Sequence, residues 1–375
     1  MNMKMKSLII AASTVAVFAS CAQVSDVTEI TGTVVPEGLD AVQVTVGEQL
    51  DTLVPIVDGK FSITVPTDVC QTGTLAAGQY GINFIPDGTP LQVVLKDTST
   101  VTSKYPKISV QAKLNAFFDQ EDALVAEYRA KQQELSDNTE LSTEERAKAW
   151  EEFETPFMEK YNAANEKVFA ANTDNLIAVF ALRNIRSEYT DAQVDSLLNL
   201  LSPALQENKY VKGMKGALSA RLQTAEGKMF TDFTVNNVVG LTRSIPPQPV
   251  YQEVKLSDYV GKGKYVLLDF WSPWCGPCKR EIPNIKAIYD IYGGEKFEVV
   301  SIAVWEREHV QVSINTAAEL GMTWPQIYNG QREPAEIYGV EGIPHLILFG
   351  PDGTILKRGF HGYDGIHAAV SAYLD

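Results

Sequence analysis

An apolar segment that leads directly into two closely spaced cysteines is the feature that most constrains the fold of this chain. The segment Tyr265–Trp271, YVLLDFW, is typical of a strand that is buried on both faces of a sheet. Cys275 and Cys278 follow, and CKREIPNIKAIYDIYG, which begins at Cys278, predicts a helix. A second apolar strand pattern, FEVVSIAVW, comes after that helix. Strand, helix and strand in this order predict a mixed α/β domain.

The rest of the C-terminal part continues this alternation from about Met229 onward. A helix is predicted over Val310–Leu320, and PHLILFGPDGTILKRG predicts a hairpin that turns at Pro351–Gly353. A last helix is predicted over about Gly365–Tyr373. The fold class predicted for residues 228–375 is α/β, with a mixed central sheet flanked by helices.

Two different periodicities precede this domain. Residues 24–108 hold short segments rich in β-branched residues and separated by turn signals, which predicts a small β-sandwich. Within residues 110–227, apolar side chains recur at helical spacing and capping boxes begin at Ser142 and Thr190, which predicts four or five helices. Pro156 interrupts one of these patterns, so we expect a kink or a new helix start there.

Residues 1–20 have the pattern of an export signal, because Lys4 and Lys6 precede an apolar run that is too short to span a bilayer comfortably. The small residues before Cys21 resemble the box at which bacterial lipoproteins are lipidated, which predicts that Cys21 carries a membrane anchor. Ordinary cleavage before Gln23 is the alternative. Either route leads out of the cytoplasm, to the cell envelope or periplasm, where disulfides persist.

Charge and cysteine content exclude two classes of protein. The net charge is −15 and the pI is about 4.8. Such a surface repels phosphate backbones, so we expect no nucleic-acid partner. The four cysteines are too few for a disulfide scaffold in a chain of this length. Cys70 lies in an apolar stretch and is expected to be a small buried hydrophobic residue.

Three kinds of site could use Cys275 and Cys278. A zinc site needs four ligands, but the other cysteines are distant in sequence and the four histidines show no metal-ligand spacing. A structural disulfide would close a very short loop and stabilise little. A redox pair is favoured, because Cys275 lies where a strand ends and a helix begins, and a helix N-terminus stabilises a thiolate. Cys278, one helical turn later, could then resolve a mixed disulfide formed by Cys275.

The segments around these cysteines resemble a known superfamily. LLDFWSPWCGPCK resembles the active-site segment of thioredoxins, and GIPHLILFGPDGTIL resembles their proline loop and hairpin. FTDFTV and VKLSDYVGKGKYVLLDFW are most similar to the TlpA/ResA-like thiol–disulfide oxidoreductases of the bacterial envelope. The resemblance covers the chain from about Gly227 to the C-terminus. The β part resembles, more weakly, a domain of unknown function found before such domains in anchored lipoproteins.

The resemblance implies thiol–disulfide exchange with Cys275 as the nucleophile and Cys278 as the resolving cysteine, and we expect no cofactor and no metal. Pro344 matches the cis proline that faces the disulfide in this superfamily. Ile343 matches the residue whose backbone pairs with a substrate strand. Trp274 matches the residue that covers the disulfide and shapes the docking surface.

Two acidic residues match active-site acids of the superfamily. Asp269, six residues before Cys275, matches the buried acid of thioredoxins, and Glu281, three residues after Cys278, matches a glutamate of ResA-like proteins. Burial would raise the pKa of either carboxyl group toward the range that suits proton exchange with Cys278. For Glu281, an exposed position in the first turn of the helix is equally consistent with the sequence.

The direction of electron transfer is predicted from the dipeptide between the cysteines. Gly-Pro is the thioredoxin pair, and Ile343 before Pro344 is also the thioredoxin residue. Thioredoxin is a reductant with a potential near −270 mV, whereas the oxidant DsbA is near −120 mV. We therefore expect reduction of disulfide-bearing protein clients, with electrons from an upstream membrane thiol donor.

Two other functions remain open. A thiol peroxidase could share the fold, but DFWSPWC lacks the Pro-x-x-x-Thr-x-x pattern that usually precedes a peroxidatic cysteine. An anchored binding or scaffold lipoprotein with an accessory redox domain is the second, because residues 24–227 show no catalytic constellation.

Overall fold

The structure is a computed structural model that describes residues 24–245, 248–307 and 309–374. The predicted export signal, residues 1–20, and the predicted lipidation site, Cys21, lie outside the described residues. Within the described part, no helix is both long enough and apolar enough to cross a membrane.

The chain divides into two compact units. The first runs to Glu188 and also includes Leu201–Leu205, and the second comprises Tyr189–Leu200 together with the residues from Gln206 onward. Each unit has a hydrophobic core of its own. The division of the mature chain into β, helical and α/β segments remains a prediction of the sequence.

Eight strands in the first unit form two four-stranded sheets. They are β1 (Val27–Val34), β2 (Ala41–Val46), β3 (Leu50–Pro55), β4 (Lys60–Pro66), β5 (Gly73–Ala77), β6 (Tyr80–Phe84), β7 (Leu91–Leu95) and β8 (Thr100–Ser103). The strand orders are β4-β1-β7-β8 and β3-β2-β5-β6. Side chains from both sheets, including Ile30, Val44 and Leu75, are fully buried in one cluster. The predicted β-sandwich is confirmed.

The structure adds three strands that the sequence pattern does not indicate, β3, β5 and β8. The residues of β5 are GTLAA, and small side chains have a weak preference for strands. β5 is nevertheless a strand because it pairs with β2 on one side and with β6 on the other. Pairing with predicted strands therefore decides these elements, and local composition does not.

Three helices follow in the first unit. They are α1 (Val110–Asp137), α2 (Thr143–Ala170) and α3 (Ile177–Ile185). Ser142 precedes α2 with both hydrogen bonds of the predicted capping box. The helix continues through Pro156, so of the two expected alternatives, a kink or a new helix start, the new start is wrong. Trp150 and Phe157, on either side of the proline, both pack against Tyr128 of α1, which supports one uninterrupted helix.

The second unit contains the predicted α/β domain. Its helices are α4 (Asp191–Leu198), α6 (Lys209–Gln223), α7 (Gly276–Tyr292), α8 (Val310–Glu319), α9 (Glu333–Ile337) and α10 (Gly362–Leu374), while α5 (Pro203–Gln206) contains residues of both units. Its strands are β9 (Thr234–Leu241), β10 (Pro249–Lys255), β11 (Tyr265–Trp271), β12 (Phe297–Ala303), β13 (Gln326–Ile327), β14 (His345–Phe349) and β15 (Ile355–Arg358). Thr190 precedes α4 with both hydrogen bonds of the second predicted capping box.

The strand β11 is the centre of a five-stranded sheet with the order β13-β12-β11-β14-β15. It runs parallel to β12 and antiparallel to β14, so the predicted mixed sheet is confirmed. Successive side chains of a strand point to opposite faces. Leu267 and Trp271 accordingly join a core cluster with α7 and α10, while Leu268 and Phe270 join the cluster on the other face. The carboxyl end of this buried strand leads to the cysteine pair.

Candidate active site

Cys275 and Cys278 form a disulfide at the start of α7. Their sulfurs are 2.09 Å apart and their Cα atoms 5.3 Å apart. Cys275 is the N-cap residue, and the amide N–H of Cys278 donates a hydrogen bond to its Sγ over 3.1 Å. Pro277 lies in the first turn, where its missing N–H costs no helical hydrogen bond. In the reduced protein, the same N–H and the helix dipole would stabilise a thiolate on Cys275.

The segment before β14 approaches the disulfide from a distant part of the sequence. The peptide bond Ile343–Pro344 is cis, and the carbonyl oxygen of Ile343 lies 3.6 Å from the Sγ of Cys275. A groove of about 520 Å³ is lined by Pro277, Arg280, Glu281, Asn284, Ile343, Pro344 and His361. The structure thus brings three predicted site residues, Glu281, Ile343 and Pro344, to one surface beside the active-site helix.

Trp274, which immediately precedes Cys275, is held by the loop after β12. Its indole N–H donates a hydrogen bond to the carbonyl oxygen of Trp305 over 2.9 Å, and the guanidinium carbon of Arg307 lies 3.9 Å from its ring centroid. Trp305 has a φ of 51°, which is rare for a bulky residue. Trp274 nevertheless remains 38% exposed, so a partner can reach it. The sequence does not indicate Trp305 or Arg307, because no local pattern links this loop to Trp274.

Asp269 is buried beneath the active-site helix. It lies between Leu267 and Trp271 on β11, so the alternation of the strand directs it to the face that α7 covers. It is 1% exposed, and its Oδ2 accepts a hydrogen bond from the Oγ of Ser301 over 2.8 Å. Burial raises the pKa of Asp269 to about 7; the Ser301 hydrogen bond opposes this rise and the charge of Glu281 adds to it. Such a carboxyl group exchanges protons near neutral pH.

Two residues outside the set of predicted site residues complete the surroundings of Asp269. The indole N–H of Trp324 donates a hydrogen bond to the Oγ of Ser301 over 2.9 Å, and Ser301 in turn donates to Asp269. Both residues are buried, so the carboxyl group is held in one orientation. A single serine within the apolar pattern FEVVSIAVW is the signal that could have indicated Ser301. Trp324 has no comparable signal.

Glu281 joins the active-site helix to α10. It is 9% exposed, so it is not an exposed acid of the first helical turn. Its Oε1 accepts hydrogen bonds from the backbone N–H of Gly362 over 2.8 Å and from the Nδ2 of Asn284 over 3.3 Å. These contacts fix the carboxylate at the wall of the groove. Its participation in proton transfer remains a prediction.

His345, which follows Pro344, is a neutral side chain. Its pKa is lowered to about 3, chiefly by burial and further by the nearby Arg358, His361 and Arg221 side chains. Its Nε2 lies 3.4 Å from the Nη2 of Arg358. Because a guanidinium group only donates hydrogen bonds, Nε2 is the acceptor in this contact.

Apart from the disulfide, the described part of the chain contains one further cysteine, Cys70, and no cluster of metal ligands. Across residues 24–245, 248–307 and 309–374, no group of three or more His, Cys, Asp or Glu side chains could hold a metal ion. Cys70 is buried in the first unit, and burial raises the pKa of its thiol to about 11. A thiol with that pKa stays protonated and is a poor nucleophile at neutral pH.

Comparison with known proteins gives matches in the C-terminal part of the chain. Residues 227–358 match the model of the AhpC/TSA family. The chain is 31% identical over 134 residues to the thiol-disulfide oxidoreductase ResA of Geobacillus thermodenitrificans, which is 36% of this chain and 68% of that protein. It is 32% identical over 149 residues to ResA of Geobacillus kaustophilus, which is 38% of this chain and 83% of that protein. The thioredoxin domain of a thiol-disulfide oxidoreductase from Bacteroides vulgatus is 25% identical, with 40% of this chain and 99% of that chain covered and a TM-score of 0.33.

Replacement of Asp269 by Asn tests the raised pKa through stability. An unfolded Asp ionises near pH 4, whereas buried Asp269 ionises near pH 7. Between these values the folded protein holds a proton that the unfolded chain has lost, so stability falls as the pH rises from about 4 to about 7 and stays reduced above it. The full effect is on the order of 4 kcal/mol. As the pH rises from about 5 to about 8, we expect the melting temperature of D269N to fall less than that of the wild type.

The measurement is thermal unfolding of the oxidised protein, followed by circular dichroism. Asp290→Asn is the matched control, because Asp290 is exposed on α7 and should follow the wild-type curve. Parallel curves of melting temperature against pH for the wild type and D269N would contradict the assignment.

Proposed function

Because the chain belongs to the family of ResA thiol-disulfide oxidoreductases, we propose that it reduces disulfides of protein clients in the bacterial cell envelope. Thiol–disulfide exchange itself follows from the family. The envelope location, the direction of electron transfer and the roles of single residues belong to the proposal. One observation carries it: a disulfide at a helix N-terminus whose Cys275 sulfur lies 3.6 Å from the carbonyl oxygen of Ile343.

The proposed reaction transfers two electrons from the reduced cysteine pair to the client. The Cys275 thiolate attacks one sulfur of the client disulfide, the client S–S bond breaks, and the second client sulfur leaves and takes up a proton. The Cys278 thiolate then attacks the Cys275 sulfur in the mixed disulfide. The Cys275–Cys278 bond forms, and the first client sulfur leaves as a thiol. A membrane thiol donor returns the pair to the dithiol state.

Asp269 is proposed to take the proton from Cys278 before this second attack. The proposal is supported by its place under α7, in the layer that includes Cys278, and by its pKa of about 7. A base with that pKa can accept a thiol proton at neutral pH and release it again. Glu281, at the wall of the groove, is the second candidate for this role.

The client is proposed to bind beside the disulfide as an added strand. Ile343 and Pro344 border the groove next to α7. Trp274, the residue before Cys275, is exposed. An extended client segment would form backbone hydrogen bonds with Ile343, while its disulfide meets Cys275. No cofactor takes part in this scheme.

The direction of transfer is tested by the redox potential of the cysteine pair. Gly276 and Pro277 form the thioredoxin dipeptide, so we expect a potential near −270 mV. The potential is measured by equilibrating the protein in dithiothreitol buffers and separating the oxidised and reduced forms. A value above about −180 mV, in the range of isomerases and oxidants, would show that reduction is the wrong direction.

Replacement of Cys278 by Ser tests the order of the two attacks. Cys275 then has no resolving partner, so a mixed disulfide with the client should accumulate and be visible on a non-reducing gel. Mass spectrometry of the trapped species identifies the client. Cys275→Ser is the matched control, because the remaining Cys278 is 1% exposed and should trap little. Equal trapping by both variants would contradict the assigned roles.

A thiol peroxidase is the second candidate, since the matching family model is that of AhpC/TSA proteins. The absence of a Pro-x-x-x-Thr-x-x pattern before Cys275 argues against it. Consumption of hydrogen peroxide at a rate comparable with disulfide reduction would favour this candidate.

Anchoring through Cys21 is the proposed means of membrane attachment. We expect mass spectrometry of the mature protein to find Cys21 as an acylated N-terminal residue. We also expect Cys21→Ser to move the protein from the membrane fraction to the supernatant. An unmodified N-terminus at Gln23 would exclude the anchor.

A further inference from the structure

The segment that carries Ile343 and Pro344 has few main-chain hydrogen bonds of its own. It runs from Tyr338, directly after α9, to Pro344, directly before β14. The N–H groups of its first three residues bond back to the α9 region. The carbonyl groups of Tyr338 and Gly339 instead accept hydrogen bonds from two arginine side chains. The position of the segment therefore depends on these arginines.

Arg221, in the last turn of α6, uses its guanidinium group on two sides. Its Nε and Nη2 donate to the carboxylate of Asp191, at the start of α4, over 2.9 to 3.0 Å. Its Nη1 donates to the carbonyl oxygen of Gly339 over 3.2 Å and to the carboxylate of Glu341 over 2.7 Å. The Arg221 side chain is 23% exposed, so these charge-assisted bonds are partly shielded from water. Only a planar fork of donors can join both partners at once.

Arg358, on β15, ties the two ends of the segment to the end of α6. Its Nη2 donates to the carbonyl oxygen of Tyr338 over 2.7 Å and lies 3.4 Å from the Nε2 of His345. Its Nη1 donates to the carbonyl oxygen of Thr224 over 2.9 Å and to the Thr224 hydroxyl over 2.8 Å. Thr224 is the C-cap residue of α6. The first residue of the segment and the residue after Pro344 thus share one anchor.

Gly339 brings the backbone of the segment directly against α6. It has a φ of 59°, and a Cβ atom at this position would lie 2.5 Å from the carbonyl oxygen of Ala217. Both the left-handed conformation and the close approach require glycine. The helix α6 lies before residues 227–358, which match the family model. The contact is therefore made by a part of this chain outside the matched domain.

We propose that α6 holds the substrate-binding segment in place and that Arg221 is a positioning residue for protein-disulfide reduction. This inference rests on the proposed function, in which Ile343 and Pro344 contact the client. An added strand pairs with Ile343 only when that backbone is ordered, and ordering it on binding lowers affinity. Loss of Arg221 should therefore raise KM. It should leave kcat close to the wild-type value, because α7 fixes the cysteines independently.

Steady-state reduction of a synthetic peptide tests this split. The peptide carries one disulfide between a fluorophore and a quencher, and dithiothreitol supplies the electrons. For Arg221→Gln we expect KM to rise about tenfold, the effect of losing one charge-assisted hydrogen bond, with kcat changed by less than about twofold. Arg221→Lys retains the charge but cannot bind Asp191 and Gly339 together, so its KM should lie between those of the wild type and R221Q.

Hydrogen exchange of the backbone amides of residues 339–346 is the second readout. These amides should exchange faster in R221Q than in the wild type. Arg332→Gln is the matched control, because Arg332 is 79% exposed and pairs with Glu336 at the surface of α9. Glu341→Ala removes the carboxylate acceptor on the segment and leaves the Arg221–Asp191 pair and the bond to the Gly339 carbonyl oxygen in place, so it tests the charged contact if R221Q does not fold.

The outcomes separate this inference from the proposed function. Wild-type KM and wild-type exchange in both R221Q and E341A would overturn the positioning role. If the wild-type protein leaves the peptide disulfide intact, the proposed function fails. In that case hydrogen exchange still tests the positioning role without any kinetic measurement. Faster exchange in R221Q would support ordering of the segment by α6, and unchanged exchange would overturn that ordering.

Discussion

The hydrogen bond from the amide of Cys278 to the sulfur of Cys275 is the contact around which the second unit is arranged. It exists because Cys275 is the N-cap residue of α7 and follows shortly after β11, a strand that is buried on both faces of the sheet. A reactive sulfur at that junction receives the N–H groups and the dipole of the helix without any added cation. The other groups of the site come from separate parts of the chain, and each approaches this one sulfur or its partner.

The carboxyl group of Asp269 shows how a feature that is unfavourable for folding becomes useful for chemistry. A carboxylate is costly to bury in an apolar layer. The protein lowers that cost with the Ser301 hydrogen bond and by retaining a proton up to about pH 7. Glu281, further along on α7, has different partners, because its Oε1 accepts hydrogen bonds from the backbone N–H of Gly362 and from the Nδ2 of Asn284. The two acids near the disulfide therefore differ in burial, at 1% and 9% exposed, and in hydrogen-bond partners.

The contacts of α6 connect the segment before Pro344 to a part of the chain that lies before residues 227–358, which match the family model. Arg221 reaches this segment from a helix that is distant in sequence, and Arg358 reaches it from β15, the strand after β14. Their guanidinium groups satisfy carbonyl oxygens that have no partner in the sheet or in α9. This arrangement gives the helices before the α/β domain a physical connection to the segment that we propose binds the client.

Features that depend on local periodicity and turn chemistry could be predicted from the sequence alone. The buried strand YVLLDFW, the capping boxes at Ser142 and Thr190, the hairpin and the cysteine pair at a helix start all belong to this group. The positions of Asp269 and Pro344 could also be predicted, but from the family resemblance and not from local periodicity. Only the tertiary structure decided the continuity of α2 through Pro156, the strand at GTLAA, and the partners Ser301, Trp324, Trp305, Arg307, Arg221 and Arg358. A local pattern fixes the direction of a side chain relative to its own element, whereas its partner is chosen by packing between elements that are far apart in sequence.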